Sequence, residues 1–352
     1  MWKWTFRDIL KFLAISLFPV LLYELLGWKW LHLPWLPIAL IGTAVAFVIS
    51  FKNNASYDRL WEARKIWGGI VNASRSWAIM VRDLINNQYA ENNVSDDELI
   101  SIHKELIMRH VAWMMAHRYT LRSDRPWEHF FKRKSNQKYK NYYKVPEHHE
   151  DLEKAISQYL SEKELLELKH SSNKASKLLS DQSARLKELK ERGLIWEFSH
   201  LELEKMLVEF YALQGKNERI KNFPYPRQFA TLNLFFVWIF IVLLPFGVMS
   251  AFEDIGQDIK ERVEVNTFMD WITYYIADHF IWLSIPFSVV ISWVFHTMER
   301  IGESSENPFE GTAMDVPITT MSRGIEIDML EIIGVPKDEI PAPIEMTNHV
   351  QM

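Results

Sequence analysis

Three histidines at seven-residue intervals are the first residues whose type suggests chemistry. His103, His110 and His117 lie in a stretch with helical periodicity, and a histidine repeat of this kind suggests a metal site. Seven residues are two helical turns, however, so neighbouring histidines are about 10 Å apart, too far for ligands of one ion. We therefore interpret them as structural residues, buried in a core or at an interface, and expect no bound metal.

A second pattern suggests ion conduction. Thr43, Phe47 and Phe51 follow one another at four-residue steps, so they form one stripe along a helix. One interpretation is that the stripe packs against neighbouring helices or lipid. The other is that several copies of the chain direct it at a shared axis, where rings of apolar side chains form a constriction that gates by losing its water. The spacing alone leaves both interpretations open.

No catalytic signature accompanies these patterns. The sequence contains no cysteine, which excludes disulfides, thiolate nucleophiles and cysteine-ligated metals. We find no nucleophile–base pattern and no paired-carboxylate motif, and the stretch GGIVNAS (68–74) lacks the lysine and the spacing of a phosphate-binding loop. We expect a protein that is not an enzyme and that needs no cofactor.

The elements that must carry the stripe are long apolar blocks. Four blocks reach the roughly 17 to 25 residues that a membrane-spanning helix needs. They are 9–28, 33–51, 229–252 and 271–295. The fourth contains Asp278 and His279, which are costly inside a membrane unless they face protein or water. The first lacks a small-residue cleavage site, so we do not interpret it as a signal peptide. We predict an all-α membrane protein with four transmembrane helices.

Positive charges near the ends of the blocks predict their orientation. Lys and Arg are frequent in residues 1–11, directly after the second block and directly before the third. The link between the first two blocks has only Lys29, and the link between the last two is acidic. Both termini and the region 52–228 are therefore predicted to face the cytoplasm.

The region between the second and third blocks is helical by pattern. Apolar residues recur at three- and four-residue steps in 98–121, 151–170, 174–192 and 198–215. Between them, 122–144 holds eight Lys or Arg among aromatic residues, a pattern that can bind single-stranded nucleic acid. A formal net charge of −5 gives nucleic-acid binding no support, and we favour a solvated or subunit-contacting face.

These patterns divide the chain into four parts. Residues 1–51 carry the first two spans, 52–228 form a cytoplasmic helical domain, 229–296 carry the last two spans, and 297–352 form a proline-containing cytoplasmic tail that wraps the bundle.

The stretch that continues the second block resembles a known family. FKNNASYDRLWEARKIWGGIVNASR (51–75) is similar to the sequence that follows the second span of bestrophins, the pentameric ion channels, in their bacterial branch. Five further stretches resemble the family in order and spacing. They are 109–122, 215–226, 241–248, 299–311 and 326–334.

The resemblance implies a homopentamer whose transmembrane and cytoplasmic helices form one bundle around a central pore. Three side chains of the second span line the narrow neck of bestrophins, and the spacing from Arg59 and Trp61 places them at Thr43, Phe47 and Phe51. Thr43 departs from the aliphatic residue usual at that level. The family also has a cytoplasmic aperture, for which an offset count favours Ser199.

The implied function is passive conduction of small monovalent ions across a bacterial plasma (inner) membrane. Aromatic edges carry partial positive charge, so a phenylalanine neck favours anions such as chloride. A sodium or potassium channel of the same fold stays an open alternative, as does a secondary transporter, although we find no internal repeat. The expected partners are other copies of the chain, membrane lipid and the permeating ions, and not nucleic acid.

Calcium is not among the expected ligands. Eukaryotic bestrophins carry an acidic calcium clasp directly after an Asn-Pro-Phe-Gly stretch. This chain has ENPFEGTAMD there, with Glu310 and Asp315 but no acidic cluster. A calcium ion takes six to eight oxygen ligands, so we predict no calcium gating through this segment.

Overall fold

The computed structural model describes residues 2–90, 92–128, 136, 145–347 and 350–352. This part of the chain is helical and contains no strand, which confirms the predicted all-α class. It divides into two compact units. The first unit comprises residues 1–57 and 225–306, and the second comprises residues 58–224 and 307–352.

The α-helices are numbered here in chain order. They are α1 (Trp2–Leu25), α2 (Trp35–Leu84), α3 (Asp96–Arg122), α4 (Leu152–Ile156), α5 (Glu162–Lys169), α6 (Lys174–Glu191), α7 (Glu197–Asn222), α8 (Arg227–Arg262), α9 (Phe268–Asp278), α10 (Ser284–Ser305) and α11 (Ile318–Ile332). α2 is one helix of 50 residues that contributes 35–57 to the first unit and 58–84 to the second. Its continuity agrees with the absence of proline between positions 43 and 78.

Three helical stretches of the described chain are long and apolar enough to cross a membrane. They are Lys29–Leu84, Thr231–Arg262 and Phe280–Ser305. The first predicted span lies mostly in α1, which ends at Leu25. It ends there because Gly27 adopts a φ of 67°, which brings the amide of Trp28 back to the carbonyl oxygen of Leu22 at 3.3 Å.

The prediction of one continuous span over 271–295 is wrong. α9 ends at Asp278, a 3₁₀ turn covers Phe280–Leu283, and α10 begins at Ser284. Asp278 and His279 are half exposed, and Asp278 pairs with Lys260 of α8. The 11 residues of α9 rise only about 16 Å, roughly half of a bilayer core. Asp278 and His279 therefore mark the junction between two helices and not the interior of one span.

Close packing between α2 and α8 contributes to the core of the first unit. Val45 and Ile49 of α2 lie in one buried cluster with apolar residues of α8. A Cβ atom on Gly42 would come within 2.6 Å of the ring of Phe240, and one on Gly247 within 2.7 Å of Ile38. Glycine at these two positions lets the helix backbones approach each other. This packing decides which side of α2 faces the rest of the first unit.

Large aromatic residues fill the core of the second unit. Trp67 and Trp77 of α2, Trp113 of α3 and Phe210 of α7 are fully buried there. The ring centroids of Trp113 and Phe210 are 5.1 Å apart. The helices predicted around 98–121, 174–192 and 198–215 are α3, α6 and α7.

The helix predicted over 151–170 is instead two short helices, α4 and α5. Ser161 and Glu164 form a capping box, in which each side chain binds the backbone amide of the other, and this box begins α5. Residues 129–135 and 137–144 of the basic, aromatic segment lie outside the described residues.

Candidate functional site

α2 has a packed side and an outward side within the first unit. Val45 and Ile49 are buried, whereas Phe47 and Phe51 are 64% and 67% exposed. Residues two positions apart on an α-helix point about 200° apart. The packing that buries Val45 and Ile49 therefore turns both phenylalanines away from the rest of the first unit. Thr43 is exposed as well, so the predicted stripe is a continuous outward face.

The outward face is longer than the stripe of Thr43, Phe47 and Phe51. Leu36 and Leu40 are also exposed, and they extend the stripe toward the beginning of α2 at three- and four-residue steps. From Leu36 to Phe51 the stripe runs about 22 Å along the helix. The spacing of Leu36 and Leu40 can be read from the sequence. It does not stand out there, because the residues on every side of this span are apolar.

The stripe presents an almost wholly apolar surface. The ring centroids of Phe47 and Phe51 are 5.9 Å apart, and the rings are inclined at 46°. The hydroxyl group of Thr43 donates to the carbonyl oxygen of Ala39 in the same helix at 2.9 Å, so its donor is already used. Such a face contacts either lipid or the same face of neighbouring copies. In the second case it forms a dry constriction.

Ser199 lies in the second unit, apart from the residues of the stripe. It is half-buried in the first turn of α7, while its neighbour Phe198 is 61% exposed. The ring of Phe198 lies 4.8 Å from that of Trp196, and the ring of Trp196 lies 5.7 Å from that of Tyr89. The beginning of α7 thus presents aromatic rings, and Phe198 is more exposed than the predicted Ser199.

The three spaced histidines each have a separate partner in the second unit. His110 Nε2 lies 2.8 Å from Oγ of Ser74, and His117 Nε2 lies 3.1 Å from Nδ2 of Asn217. The Nε2 atom of His103 lies 2.9 Å from the carbonyl oxygen of Ile85. The separate partners agree with the structural interpretation. Within the described ranges no group of three or more His, Cys, Asp or Glu could hold a metal ion.

The two buried histidines predict acid sensitivity. Burial lowers the pKa of His110 and of His117 to about 3, so both are neutral in the folded protein. In the unfolded chain their pKa is about 6.5. Their contribution to stability is therefore complete above pH 6.5 and declines as the pH falls toward 3. As the pH falls through that window, each of these two histidines should lower the free energy of unfolding by up to about 1.4 kcal/mol per pH unit.

The melting temperature of the purified protein between pH 7 and pH 5 measures this effect. We expect the fall in melting temperature to become shallower in His117→Gln, which removes one titrating group. His103→Gln is the matched control, since His103 lies on the same helix but is only half-buried. An unchanged pH dependence in His117→Gln would contradict the assignment.

The segment around Asp315 forms a tight turn. The buried carboxylate of Asp315 accepts hydrogen bonds from the guanidinium of Arg122 and from the backbone amides of Phe309, Gly311 and Val316, at 2.7–2.8 Å. Its oxygens are thus occupied by the chain itself. Burial raises the pKa of Glu310 well above its ordinary value, which favours a neutral acid. The expectation of no calcium gating here stays a prediction.

Comparisons with known proteins agree on one family. The family described as bacterial/fungal bestrophin protein matches residues 3–255 and 268–331. The voltage-dependent anion channel-forming protein YneE of Escherichia coli K12 is 24% identical over 316 residues, which cover 90% of this chain and 82% of that protein. A voltage-dependent anion channel-forming protein of Ralstonia nicotianae is 26% identical over 314 residues, which cover 87% of this chain and 82% of that one.

The fold has a close counterpart among solved structures. A crystal structure of a bacterial bestrophin homologue from Klebsiella pneumoniae matches with a TM-score of 0.69 at 22% identity, covering 94% of this chain and 98% of that one. This likeness shows that the chain has the fold of that homologue.

Proposed function

The chain belongs to the bacterial and fungal bestrophin family, and from this premise we propose that it is a passive channel for small monovalent ions that prefers anions. The observation that carries the proposal is the outward stripe of α2, an exposed aromatic face on a helix that continues from one unit into the other. The names of the relatives in Escherichia coli and Ralstonia nicotianae support it further.

In the proposed assembly five copies of the chain direct this stripe at a common axis. Thr43, Phe47 and Phe51 then form three rings, and the two phenylalanine rings are the neck. An ion that passes must lose part of its hydration shell, and aromatic edges with partial positive charge compensate an anion better than a cation. The assembly lies in a bacterial inner membrane, with both termini and 52–228 in the cytoplasm.

The beginning of α7 is the proposed second constriction. The offset count in the sequence favours Ser199, but the greater exposure of Phe198 supports Phe198 as the side chain that reaches the pore. We expect Phe198→Ala to raise single-channel conductance in bilayers and Ser199→Ala to leave it unchanged. The opposite order would restore Ser199 as the aperture residue.

A direct test of the function uses the purified full-length protein in liposomes. With unequal potassium chloride concentrations on the two sides, we expect a current whose reversal potential lies close to the chloride equilibrium potential. A value close to the potassium equilibrium potential would identify a cation channel. Absence of any ionic current in protein that remains assembled would contradict the channel function.

One feature of α2 favours the cation alternative. Asp58 is exposed, and among the described residues no salt bridge to it is found. Five such carboxylates in a ring would attract cations and repel anions. We therefore expect Asp58→Asn to raise the ratio of anion to cation permeability, measured from reversal potentials. Glu62→Gln is the control, because Glu62 pairs with Arg219 at 2.8 Å. An unchanged ratio would remove Asp58 from the conduction path.

A further inference from the structure

Lys52, the residue that follows Phe51 in α2, is a buried charge for which passive conduction has no direct use. Only 3% of its side chain is exposed, and its Nζ atom lies 2.6 Å from Oε1 of Glu299 and 3.8 Å from Oε2 of Glu306. Glu299 is equally buried. A lysine near the end of a span usually extends its side chain to water. Here the side chain turns into the first unit and meets α10.

Two uncharged contacts lie beside this ion pair. The Nδ2 atom of Asn53 donates to the carbonyl oxygen of Met298 at 3.2 Å. Gly302 faces the same asparagine, and a Cβ atom at this position would lie 2.1 Å from its Oδ1 atom. Any larger residue would have to displace Asn53. We call Lys52, Asn53, Glu299 and Gly302 the Lys52 clasp.

α10, which carries Glu299 and Gly302 of the clasp, also contacts α1 through buried polar side chains. The Nη1 atom of Arg300 lies 2.9 Å from Oδ2 of Asp8, and Nε2 of His296 lies 3.6 Å from the same oxygen. All three side chains lie in the first unit and are largely buried. The end of the outward stripe is therefore tied to a helix that is fixed by further buried polar contacts.

We propose that the Lys52 clasp is a positioning device that fixes the rotation of α2 about its own axis and so keeps Phe47 and Phe51 directed at the pore. This inference rests on the proposed channel function. Consecutive residues of a helix are 100° apart. Rotating α2 by 100° would bring Lys52 to the direction that Phe51 now has, which would place an ammonium group in the neck and turn the Phe51 ring away from it.

The chemistry of the ion pair between Lys52 and Glu299 indicates that it fixes the orientation of α2 and does more than hold α2 against α10. Apolar residues of similar volume often hold two elements together as well as a buried ion pair does, because burying the charges is costly. The best-attested use of a buried polar contact is to specify one register among several. A charge-assisted hydrogen bond at 2.6 Å is also directional, whereas apolar contacts tolerate small rotations.

The absence of cysteine in the native sequence gives a clean readout. Phe51→Cys introduces a single thiol, and its rate of modification by a water-soluble maleimide reports whether position 51 faces the aqueous pore. In assembled protein we expect Lys52→Met to change this rate by about tenfold and Lys52→Arg, which keeps the charge, to restore it. Arg262→Met is the control, since Arg262 forms an exposed ion pair with Asp258 in the same unit.

The double variant Lys52→Met/Glu299→Met separates positioning from stability. It removes both charges, so no buried charge is left without a partner and the protein should remain folded even if Lys52→Met alone does not. We expect normal assembly and melting temperature but an altered thiol modification rate and an altered single-channel conductance. If the double variant assembles with an unchanged rate and unchanged conductance, the positioning role is overturned.

The labelling rate needs no ionic current, so the two proposals fail separately. If the Phe51→Cys protein with Lys52 intact assembles but does not conduct, the channel function alone is contradicted. If the Phe51→Cys protein conducts and the added Lys52 substitutions leave its rate of thiol modification unchanged, the positioning role of the clasp alone is contradicted.

Discussion

Replacing both Phe47 and Phe51 with alanine is expected to raise the single-channel conductance by about an order of magnitude and to weaken the preference for anions. Both side chains are largely exposed in the single subunit, so their removal leaves no cavity in its core. In the proposed pentamer it removes ten rings from the neck, which widens the pore and lowers the cost of ion dehydration. Planar-bilayer recordings of the purified variant measure both effects.

Two other phenylalanines provide matched controls. Phe18 of α1 and Phe235 of α8 are 59% and 61% exposed, so a single subunit presents them to its surroundings as much as it does Phe47. Phe18→Ala and Phe235→Ala should leave the conductance unchanged, because we place neither residue at the axis. If all of these substitutions had the same effect, or none had any, the stripe of α2 would be an ordinary lipid-facing surface.

The second large effect concerns stability. Asp315→Ala removes four hydrogen bonds to one carboxylate and leaves the buried charge of Arg122 without its partner. Breaking a buried ion pair in this way costs about 3–5 kcal/mol. Phe309 has a φ of 76°, a conformation that is unfavourable for a bulky residue and that the Asp315 turn holds in place. We expect the melting temperature to fall by about 10 °C.

An exposed pair of the same type is the control for this prediction. Asp328 lies 2.6 Å from Arg75, also in the second unit, but the two side chains are 34% and 50% exposed. An exposed pair contributes only about 0–1 kcal/mol, so Asp328→Ala should shift the melting temperature little. Equal shifts in the two variants, measured by thermal unfolding in detergent, would show that the Asp315 turn does not stabilise the second unit.

The outward stripe could be predicted from the sequence because it depends on helix periodicity alone. Thr43, Phe47 and Phe51 share a face in any straight helix, and no proline or glycine stands between them. Which face of α2 packs inward depends on partners far along the chain, such as Phe240 against Gly42. A single sequence gives no distance between them, so the spacing alone could not separate the two interpretations of the stripe.

The break between α9 and α10 was missed for a physical reason. Hydropathy averages over a window, and the apolar residues on both sides of Asp278 conceal the 3₁₀ turn that follows it. The capping box of Thr267 and Asp270 is visible in the sequence and marks the beginning of a short helix. Its end depends in part on the contact of Asp278 with Lys260, which lies on another helix.

The Lys52 clasp could not be predicted from the sequence either, because it depends on a contact between residues that are far apart in the chain. Lys52 and Glu299 are 247 residues apart, and each looks like an ordinary charged residue at the end of an apolar block. The family resemblance predicts a neck at Thr43, Phe47 and Phe51 but gives no indication of what would hold it in position. Similarly, the offset count reached the beginning of α7, but only side-chain exposure distinguishes Ser199 from Phe198.

We propose that Phe51 faces the pore on a shared axis. The most direct measurement is the effect of a charged, thiol-reactive methanethiosulfonate on currents through Phe51→Cys, compared with Phe235→Cys, in a protein that has no native cysteine. We predict that the reagent rapidly and irreversibly alters the current through Phe51→Cys and leaves that through Phe235→Cys unchanged. Conducting Phe51→Cys channels that are insensitive to the reagent would contradict this account.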